Sequence, residues 1–373
     1  MTASSMTPLA QRLIADIRGA GPMPVASFMA AALGDPVHGY YMTRDPFGAR
    51  GDFITAPEVS QMFGEIIGLW VASEWQAMGS PPQVTLLELG PGRGTLMADA
   101  LRALRVLPAC REALSVRLVE MSPELMARQR DALKDVANIH WHASAADALA
   151  ASGDSPVILL ANEFLDALPI HQLVMTADGW RERLVDATPG GKLDWTLAIN
   201  PTPLEALIPP SLSNAHAGAL FELCPAALTL AGDLARHIKA HGGSALFIDY
   251  GHERPGYGDT LQALKSNNFA DALTEPGEAD LTAHVDFSAL GNAAKDAGLA
   301  VAGPISQGRF LLGLGIRARA ERLTNASPAR AAEIATALTR LTAAEEMGTL
   351  FKVMALRHPD LPPSAGFAPE GES

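Results

Sequence analysis

The stretch Val84-Thr85-Leu86-Leu87-Glu88-Leu89-Gly90-Pro91-Gly92-Arg93-Gly94-Thr95-Leu96 decides the fold. Its apolar first half predicts a buried β-strand, its glycines predict a sharp turn, and residues 95–104 have helical periodicity. A strand, a glycine turn and a helix in this order open a doubly wound α/β sheet. Because glycine has no Cβ, the backbone at Gly90, Gly92 and Gly94 lets a ligand approach closely. We therefore predict an α/β fold with a Rossmann-like sheet, helices on both faces and a ligand at this turn.

A carboxylate downstream indicates which ligand the turn binds. Residues 115–120 predict the next strand, which ends in Glu120 about 26 residues after Gly94, near the spacing of a ribose-binding acid in dinucleotide-binding folds. An ionised carboxylate can accept hydrogen bonds from both ribose hydroxyls. The glycine spacing is G-x-G-x-G and not G-x-G-x-x-G, so both a nicotinamide cofactor and S-adenosylmethionine (SAM) remain candidates. Glu88, at the end of the first strand, can face the same crevice.

Composition restricts the class of protein. With a formal net charge of −13 and no basic cluster, the chain does not fit a nucleic-acid-binding protein. Its two cysteines do not predict a disulfide framework, and the sequence has no run long enough to span a membrane and no recognisable leader. We therefore expect a cytoplasmic protein. His140 and His142 lie on one face of a short strand, but no third ligand is near, so no metal site is predicted.

The hydrophobic pattern divides the 373 residues into three parts. Residues 1–80 predict a helical extension, including a long helix over 56–78, and a loop that covers the cofactor. Residues 81–358 predict the core domain, and residues 359–373 a flexible tail. The core contains three expected insertions, at about 171–225, 252–285 and 306–345. The first begins with a predicted antiparallel hairpin pair over 171–199, which suits substrate selection or a dimer contact.

Polar residues follow two further strands of the predicted sheet. The apolar run at 156–161 leads into Asn162, Glu163 and Asp166, and the strand at 244–251 carries Asp249 and Tyr250 near its end. Ligands of open α/β sheets bind outside the carboxyl ends of the strands. These side chains are therefore candidate site residues, although Asp166 could instead cap a helix.

Two loops contribute further candidates. The segments around Tyr40 and Tyr41 and around Asp52, Phe53 and Thr55 combine aromatic, acidic and hydroxyl groups with turn residues, which is unusual in a plain linker. The loop after residue 252 contains His284, a minor candidate for a base or a substrate contact. These predictions lie on loops, where binding residues are common.

Several of these segments together resemble the MidA-like family of class I SAM-dependent methyltransferases. The matching motifs, in chain order, are Gly39-Tyr40-Tyr41, Gly51-Asp52-Phe53-Ile54-Thr55-Ala56-Pro57-Glu58, Leu87-Glu88-Leu89-Gly90-Pro91-Gly92-Arg93-Gly94, Val119-Glu120-Met121-Ser122-Pro123, Asn162-Glu163-Phe164-Leu165-Asp166-Ala167-Leu168-Pro169, Phe247-Ile248-Asp249-Tyr250-Gly251, Asp280-Leu281-Thr282-Ala283-His284-Val285-Asp286-Phe287 and Met347-Gly348-Thr349-Leu350-Phe351-Lys352-Val353. These motifs are distributed along almost the whole chain.

The resemblance implies a class I methyltransferase fold and SAM as the methyl donor. It also implies a protein substrate, with dimethylation of an arginine in a NADH dehydrogenase subunit as the first candidate and complex I assembly as the setting. The cofactor residues would be Glu88, Gly90, Gly92, Gly94, Glu120, Asn162, Asp52, Phe53 and Thr55. The catalytic candidates are Glu163, then Asp166, then Asp249, and the substrate contacts are Tyr40, Tyr41, Tyr250 and His284.

Other functions remain open from the sequence. A small-molecule N- or O-methyltransferase would need a deep closed pocket, whereas a peptide arginine suits an acidic groove. An assembly factor could bind SAM without turnover. A nicotinamide-dependent dehydrogenase is the last alternative. A protein substrate and a homodimer are the expected partners, with no membrane insertion.

Overall fold

The computed structural model describes residues 6–43 and 55–368. The helices are α1 (Pro8–Ala20), α2 (Val25–Gly34), α3 (Tyr40–Thr43), α4 (Ala56–Val59), α5 (Gln61–Ala77), α6 (Thr95–Ala103), α7 (Pro108–Ala113), α8 (Pro123–Ala132), α9 (Ala145–Ala151), α10 (Pro225–His241), α11 (Phe287–Asp296), α12 (Gln307–Gly313), α13 (Ile316–Ala326), α14 (Ala331–Thr342) and α15 (Met347–Leu350). The strands are β1 (Met23–Pro24), β2 (Val84–Leu89), β3 (Leu114–Val119), β4 (Ile139–His142), β5 (Val157–Asn162), β6 (His171–Thr176), β7 (Gly179–Ala187), β8 (Leu193–Leu197), β9 (Leu220–Leu223), β10 (Gly243–His252), β11 (Gln262–Lys265), β12 (Asn268–Ala270), β13 (Asp280–Thr282), β14 (Val285–Asp286), β15 (Ala300–Ser306) and β16 (Phe351–Arg357).

The central sheet has the strand order β15-β16-β10-β5-β2-β3-β4, and β14 pairs with the end of β10. The strands from β10 to β4 are parallel, whereas β16 is antiparallel to both of its neighbours. The order reverses between β2 and β5, so the carboxyl ends of these two strands open a crevice of the kind that binds ligands in doubly wound sheets. The predicted α/β fold with a Rossmann-like sheet is confirmed.

Burial on both faces explains why β2 is mostly apolar. Leu86 packs in the core on one face, and Leu87 and Leu89 pack in the core on the other. Successive side chains of a strand point to opposite faces, and every residue of β2 is buried. Parallel strands covered by helices on both sides have this continuous apolar pattern. Glu88 is the one acidic residue within it, and its burial therefore needs a separate explanation.

The insertion after β5 forms a second, antiparallel sheet. The hairpin pair predicted over residues 171–199 contains β6, β7 and β8. The first turn consists of Ala177 and Asp178, one residue before the predicted Asp178-Gly179, because Gly179 already pairs with Thr176. β9 adds to β6, and β1 of the N-terminal extension adds to β7. The extension and the insertion therefore share one sheet. The local sequence pattern of either segment does not predict this long-range pairing.

Three segments differ from the expected secondary structure. The helix predicted over 56–78 is broken at Ser60, whose extended backbone separates α4 from α5 and whose side chain accepts a hydrogen bond from the N–H of Met62. Residues 252–285 contain the small sheet β12-β11-β13. The expected flexible tail instead packs on the protein as far as residue 368, with Phe367 against Phe310 and Ser364 buried.

No helix in the described parts of the chain combines the length and apolarity needed to cross a membrane.

Candidate active site

The glycine turn after β2 has a backbone that only glycine adopts easily. Gly90, Gly92 and Gly94 have φ values of +60°, +53° and +81°, in the left-handed region that other residues rarely enter. A Cβ at Gly90 would lie 3.0 Å from the ring of Phe164, and a Cβ at Gly94 would contact Gln129 at 3.5 Å. Both conformation and space therefore require glycine at Gly90.

Glu88 is a buried acid whose Oε2 has no hydrogen-bond partner among residues 6–43 and 55–368. It is 3% exposed, and burial raises its pKa to about 8. Its Oε2 is fully buried and accepts no hydrogen bond from any residue that the structure describes. An unpaired buried acceptor of this kind costs free energy unless a ligand satisfies it. A cationic group such as the ammonium of a methionine moiety would supply the missing donor and would favour the ionised carboxylate.

Glu120 is the first residue after β3, the strand next to β2. It lies close to the glycine turn, because Gln129 contacts both. Its Oε1 accepts hydrogen bonds from the backbone N–H groups of Met121 and Ser122 at 2.9 and 2.8 Å. Its Oε2 accepts one from Gln129 at 3.1 Å. Burial raises the pKa of Glu120, and these three donors oppose that effect. The carboxylate is held in one orientation, and its remaining lone pairs are available to ribose hydroxyls.

Helix α4 connects the glycine turn to the end of β5. Glu58 accepts a hydrogen bond from the hydroxyl of Thr95 at 2.6 Å and lies 3.6 Å from the guanidinium of Arg93. The N–H of Ala56 donates to Glu163 Oε1 at 3.0 Å. Thr55, predicted to bind the cofactor, is buried just before this helix. The other predicted residues of this loop, Asp52 and Phe53, lie outside the described residues.

Glu163 is the first residue after β5, and its backbone is strained. Its φ is +50°, a value that costs a residue with a side chain about 1–3 kcal/mol. Besides Ala56, its Oε1 accepts a hydrogen bond from Nδ2 of Asn162 at 3.1 Å. Burial raises its pKa to about 7, against these two donors. Asn162 Oδ1 is itself buried and has no hydrogen-bond partner in residues 6–43 or 55–368.

Asp166 lies on the same turn and is 6% exposed. Burial raises its pKa, and a hydrogen bond with the hydroxyl of Tyr250 opposes that rise. Burial and the negative charge of Asp166 in turn raise the pKa of Tyr250. The predicted residues Asp166 and Tyr250 are therefore neighbours that affect each other's pKa.

Asp249 is placed differently from a side chain that contacts substrate. It is 1% exposed, and its Oδ2 accepts hydrogen bonds from the N–H groups of Phe164, Leu165 and Asp166 at 3.2, 2.9 and 3.2 Å. Its Oδ1 accepts one from Tyr250 N at 2.9 Å. Burial and the neighbouring charges of Asp166 and Glu163 raise its pKa. Asp249 anchors the turn that carries the other two acids.

The predicted substrate residues differ in their accessibility. Tyr40 is completely buried in the core of the N-terminal extension. Its ring packs edge-on against that of Tyr41, with the ring centroids 5.2 Å apart, so Tyr40 holds Tyr41 in place. The hydroxyl of Tyr41 donates to Asp280 at 2.8 Å. His284 packs edge-on against Tyr250, with the two ring centroids 5.6 Å apart. Its partial burial lowers its pKa, and the nearby His252 lowers it further.

The site therefore combines a cofactor cradle with an acidic cluster. The cradle consists of the glycine turn, the orphaned Glu88 Oε2 and the oriented carboxylate of Glu120, which fit the amino-acid and ribose groups of SAM. The cluster contains Glu163, Asp166 and Asp249. In the two described ranges, no Lys or Arg forms an ion pair with these acids. Such a site suits a cationic substrate.

Three contributing residues are absent from the sequence-based set of site residues: Glu58, Gln129 and Asp280. Glu58 and Asp280 occur in quoted motifs, so proximity to predicted residues could have included them. Gln129 is an unremarkable polar residue of a helix by its local pattern. Only its complete burial and its contacts across the crevice distinguish it.

Comparison with known proteins gives a consistent result. Residues 66–305 match the model of a family described as "Putative S-adenosyl-L-methionine-dependent methyltransferase". The chain is 38% identical over 382 residues to the Mus musculus protein arginine methyltransferase NDUFAF7, mitochondrial, covering 95% of this chain and 85% of that protein. It is also 38% identical to the Drosophila melanogaster homologue of that enzyme, covering 96% and 88%.

A solved structure is similar over the same length. The crystal structure of a candidate methyl transferase from Burkholderia thailandensis, bound to S-adenosyl-homocysteine, has 30% sequence identity and a TM-score of 0.83 and covers 96% of this chain and 93% of that chain. The comparisons also correct one expectation. The curated relatives are named as mitochondrial proteins, so the prediction of a cytoplasmic protein is wrong. That prediction relied on the absence of a recognisable leader, and the fold of a protein does not determine its cellular location.

Proposed function

The chain belongs to this family of SAM-dependent methyltransferases, and we propose that its substrate is an arginine side chain of another protein. The methyltransferase class and SAM as cofactor, both predicted from the sequence, are confirmed by the family match and by the relatives. The arginine specificity is carried over from relatives that are named protein arginine methyltransferases. The residue roles given below are part of the proposal.

The acidic cluster beside the cofactor cradle is the observation that carries this proposal. Glu163 and Asp166 follow β5, and the glycine turn follows β2, its direct neighbour in the sheet. A guanidinium is planar, remains charged at physiological pH and pairs best with carboxylates that bind it through two hydrogen bonds. Buried acids that form no ion pair with a Lys or Arg of the described residues gain most from such a ligand, because it offsets the cost of their burial. The charge of Arg340 has only a minor effect on the pKa of Glu163.

We assign the substrate contacts to Glu163 and Asp166. Glu163 uses Oε1 for Ala56 and Asn162, so Oε2 is the atom that would accept from the guanidinium. Asp166 is the second acceptor, oriented by the hydroxyl of Tyr250. Two fixed acceptors orient the guanidinium plane and so align one nitrogen for in-line displacement. Because the pKa of Glu163 is about 7, this carboxylate can also take the proton that a methylated nitrogen releases.

We assign cofactor binding to the opposite side of the crevice. Glu120 would hold the ribose, Glu88 the ammonium, and the backbone of Gly90, Gly92 and Gly94 would pass close to the methionine portion. Thr55 and Asn162 are further candidates at the edge of the cradle, with Asp52 and Phe53 in the loop before Thr55. SAM, when bound, supplies a methyl group that its sulfonium makes electrophilic. The protein contributes orientation and the exclusion of water.

A subunit of a respiratory NADH dehydrogenase is the first candidate for the substrate protein, because the family resemblance implies it, and a homodimer is the proposed assembly. Two other functions compete: methylation of a small molecule, and binding of a partner without turnover. The acidic cluster favours a cationic substrate over a neutral one, but a small cation would also fit this chemistry.

Transfer of a labelled methyl group tests these alternatives. The purified protein is incubated with methyl-labelled SAM and a lysate, and protein and small-molecule fractions are analysed by mass spectrometry. Label on arginine in one protein supports the proposal and identifies the substrate. Label only in small molecules, or SAM binding without any transfer, contradicts it. The Glu163→Gln variant is the control for label transferred by other enzymes of the lysate.

A further inference from the structure

Gln129 connects two parts of the cofactor cradle, the glycine turn and Glu120. It belongs to α8, is completely buried, and its Nε2 donates to the carbonyl of Gly92 at 2.7 Å and to Glu120 Oε2 at 3.1 Å. Gly92 is in the turn after β2, whereas Glu120 follows β3. One amide group therefore contacts both the glycine turn and the carboxylate proposed to bind ribose.

The orientation of this amide is determined by its partners. Gln129 Oε1 accepts a hydrogen bond from the indole N–H of Trp141 at 2.8 Å. An indole nitrogen only donates, whereas a carbonyl and a carboxylate only accept. The reversed amide would place a donor against the indole N–H and an acceptor against two acceptors. All of its polar atoms are satisfied in one orientation only, which makes a buried network rigid.

Trp141 is itself held in place. It lies on β4, next to β3 in the sheet, and the guanidinium of Arg130 stacks over its ring at 5.1 Å. The connection runs from β4 through Trp141 to Gln129, and from there to Gly92 and Glu120. Binding groups must be held within about 0.5 Å of their productive position, and supporting hydrogen bonds achieve this.

We propose that Gln129 is a positioning residue for SAM: it fixes the Glu120 carboxylate and the glycine turn in the relative placement that binds the nucleoside. Gln129 does not itself contact the cofactor in this proposal. Glu120 Oε1 is already held by two backbone N–H groups, so Gln129 determines the direction of Oε2. The inference relies on the proposed assignment of Glu120 to the ribose.

Binding of two ligands by matched variants tests this role. We would titrate the full-length protein calorimetrically with S-adenosyl-homocysteine and with its 2′-deoxy analogue. The quantity compared between variants is the ratio of the affinity for S-adenosyl-homocysteine to the affinity for the 2′-deoxy analogue. Gln129→Met removes both donated hydrogen bonds at similar volume. We expect affinity for S-adenosyl-homocysteine to fall about tenfold, the scale of one hydrogen bond to a charged group, and affinity for the 2′-deoxy analogue to fall clearly less.

A purely structural role predicts a different pattern. If Gln129→Met weakens both ligands equally, so that their ratio stays at the wild-type value, Gln129 only packs and the proposal is refuted. Leu125→Ala is the matched control, because Leu125 is a buried residue of the same helix whose side chain makes no polar contact. We expect this control to lower stability without changing the ratio.

Two further variants separate the possible failures. Glu120→Ala must reduce the ratio, because otherwise the ribose assignment itself is wrong. If Glu120→Ala reduces the ratio and Gln129→Met does not, only the role of Gln129 is refuted. Should Gln129→Met fail to fold, Trp141→Phe removes a single N–H from the same network. We expect it to reduce the ratio in the same direction, and an unchanged ratio would overturn the proposal.

Discussion

The carboxylate of Glu163 accepts a hydrogen bond from the backbone N–H of Ala56 at 3.0 Å, across 107 residues of the chain. This contact ties the first turn of α4 to the end of the central strand β5. Because Glu58 of the same helix contacts Thr95 and Arg93 beside the glycine turn, α4 joins the acidic cluster to the cofactor cradle. Glu163 therefore has both a structural contact through Oε1 and a proposed substrate contact through Oε2.

Replacing Glu163 by Gln should separate these two roles. Glu163→Gln retains an oxygen for the N–H of Ala56 but loses the negative charge that would hold and deprotonate the guanidinium. We expect turnover to fall by about 10²-fold or more, the scale of a general base, with SAM affinity within a few fold of wild type. Methyl transfer to the identified substrate and calorimetric SAM titration measure the two effects.

Glu253→Gln is the matched control for this variant, because Glu253 is a half-exposed acid whose ion pair with Lys352 lies at the surface. It should leave turnover unchanged. Normal turnover in Glu163→Gln would remove this residue from the mechanism.

Binding of SAM should release a proton from Glu88. The pKa of Glu88 is about 8 without ligand, so the group is mostly protonated at pH 7, and an ammonium against Oε2 would favour the ionised form. We expect nearly one proton to be released per SAM bound at pH 7. Titrations in two buffers of different ionisation enthalpy measure this number. Glu88→Gln should abolish the release, and release that persists in this variant would assign it to another group.

Glu88 should also make the unfolding free energy of the ligand-free protein fall as the pH rises. The pKa of Glu88 is raised from 4.5 to about 8, so the native state binds the proton more tightly than the unfolded state. The resulting stabilisation is complete below pH 4.5 and is lost as the pH rises through 8. Between pH 6 and pH 9, we expect wild type to lose on the order of a few kcal/mol relative to Glu88→Gln. Urea unfolding at each pH tests this, and parallel curves for both proteins would contradict it.

The glycine turn should not tolerate a side chain at Gly90. Gly90→Ala adds a Cβ 3.0 Å from Phe164 at a φ of +60°, so we expect a loss of about 1–3 kcal/mol in unfolding free energy together with weaker SAM binding. Gly19→Ala is the control, because Gly19 lies within α1 with no atom near its added Cβ. That variant should be neutral or stabilising by about 0.5–1 kcal/mol. Equal effects of the two substitutions would be inconsistent with a constrained turn.

Removal of the C-terminal segment should destabilise the protein. Glu74 is completely buried and pairs with Arg357 at 2.8 Å, and Ser364 donates to the same carboxylate at 2.7 Å. Ending the chain at residue 358 removes Ser364 and exposes the surface under Phe367. We expect a loss of at least about 2 kcal/mol, because a buried charge loses one of its hydrogen bonds. Chemical denaturation compares this variant with a chain ending at residue 368, which should match wild type. If the chain ending at residue 358 proved as stable as wild type, the segment after it would be the flexible tail that the sequence predicts.

The sequence alone determined the type of sheet and the position of the cofactor turn. The mostly apolar pattern of β2, β5 and β10 is typical of strands buried on both faces, and the glycines of residues 90–94 permit the positive φ values that the turn has. The acids near the ends of β5 and β10 are also predicted to be site residues, because ligands of open α/β sheets bind outside the carboxyl ends of the strands.

Only the tertiary structure decided what each acid does. Asp249 and Glu163 are both acids near the end of a strand in the sequence, yet both oxygens of Asp249 accept hydrogen bonds from backbone N–H groups. Glu163 uses Oε1 in this way, and we propose that its Oε2 contacts the substrate. Likewise, Gln129 belongs to a largely polar helix and Ser364 to a segment predicted to be a flexible tail, but both are buried. These roles depend on hydrogen bonds between groups distant in the chain, and local pattern carries no information about which distant donor will meet which acceptor.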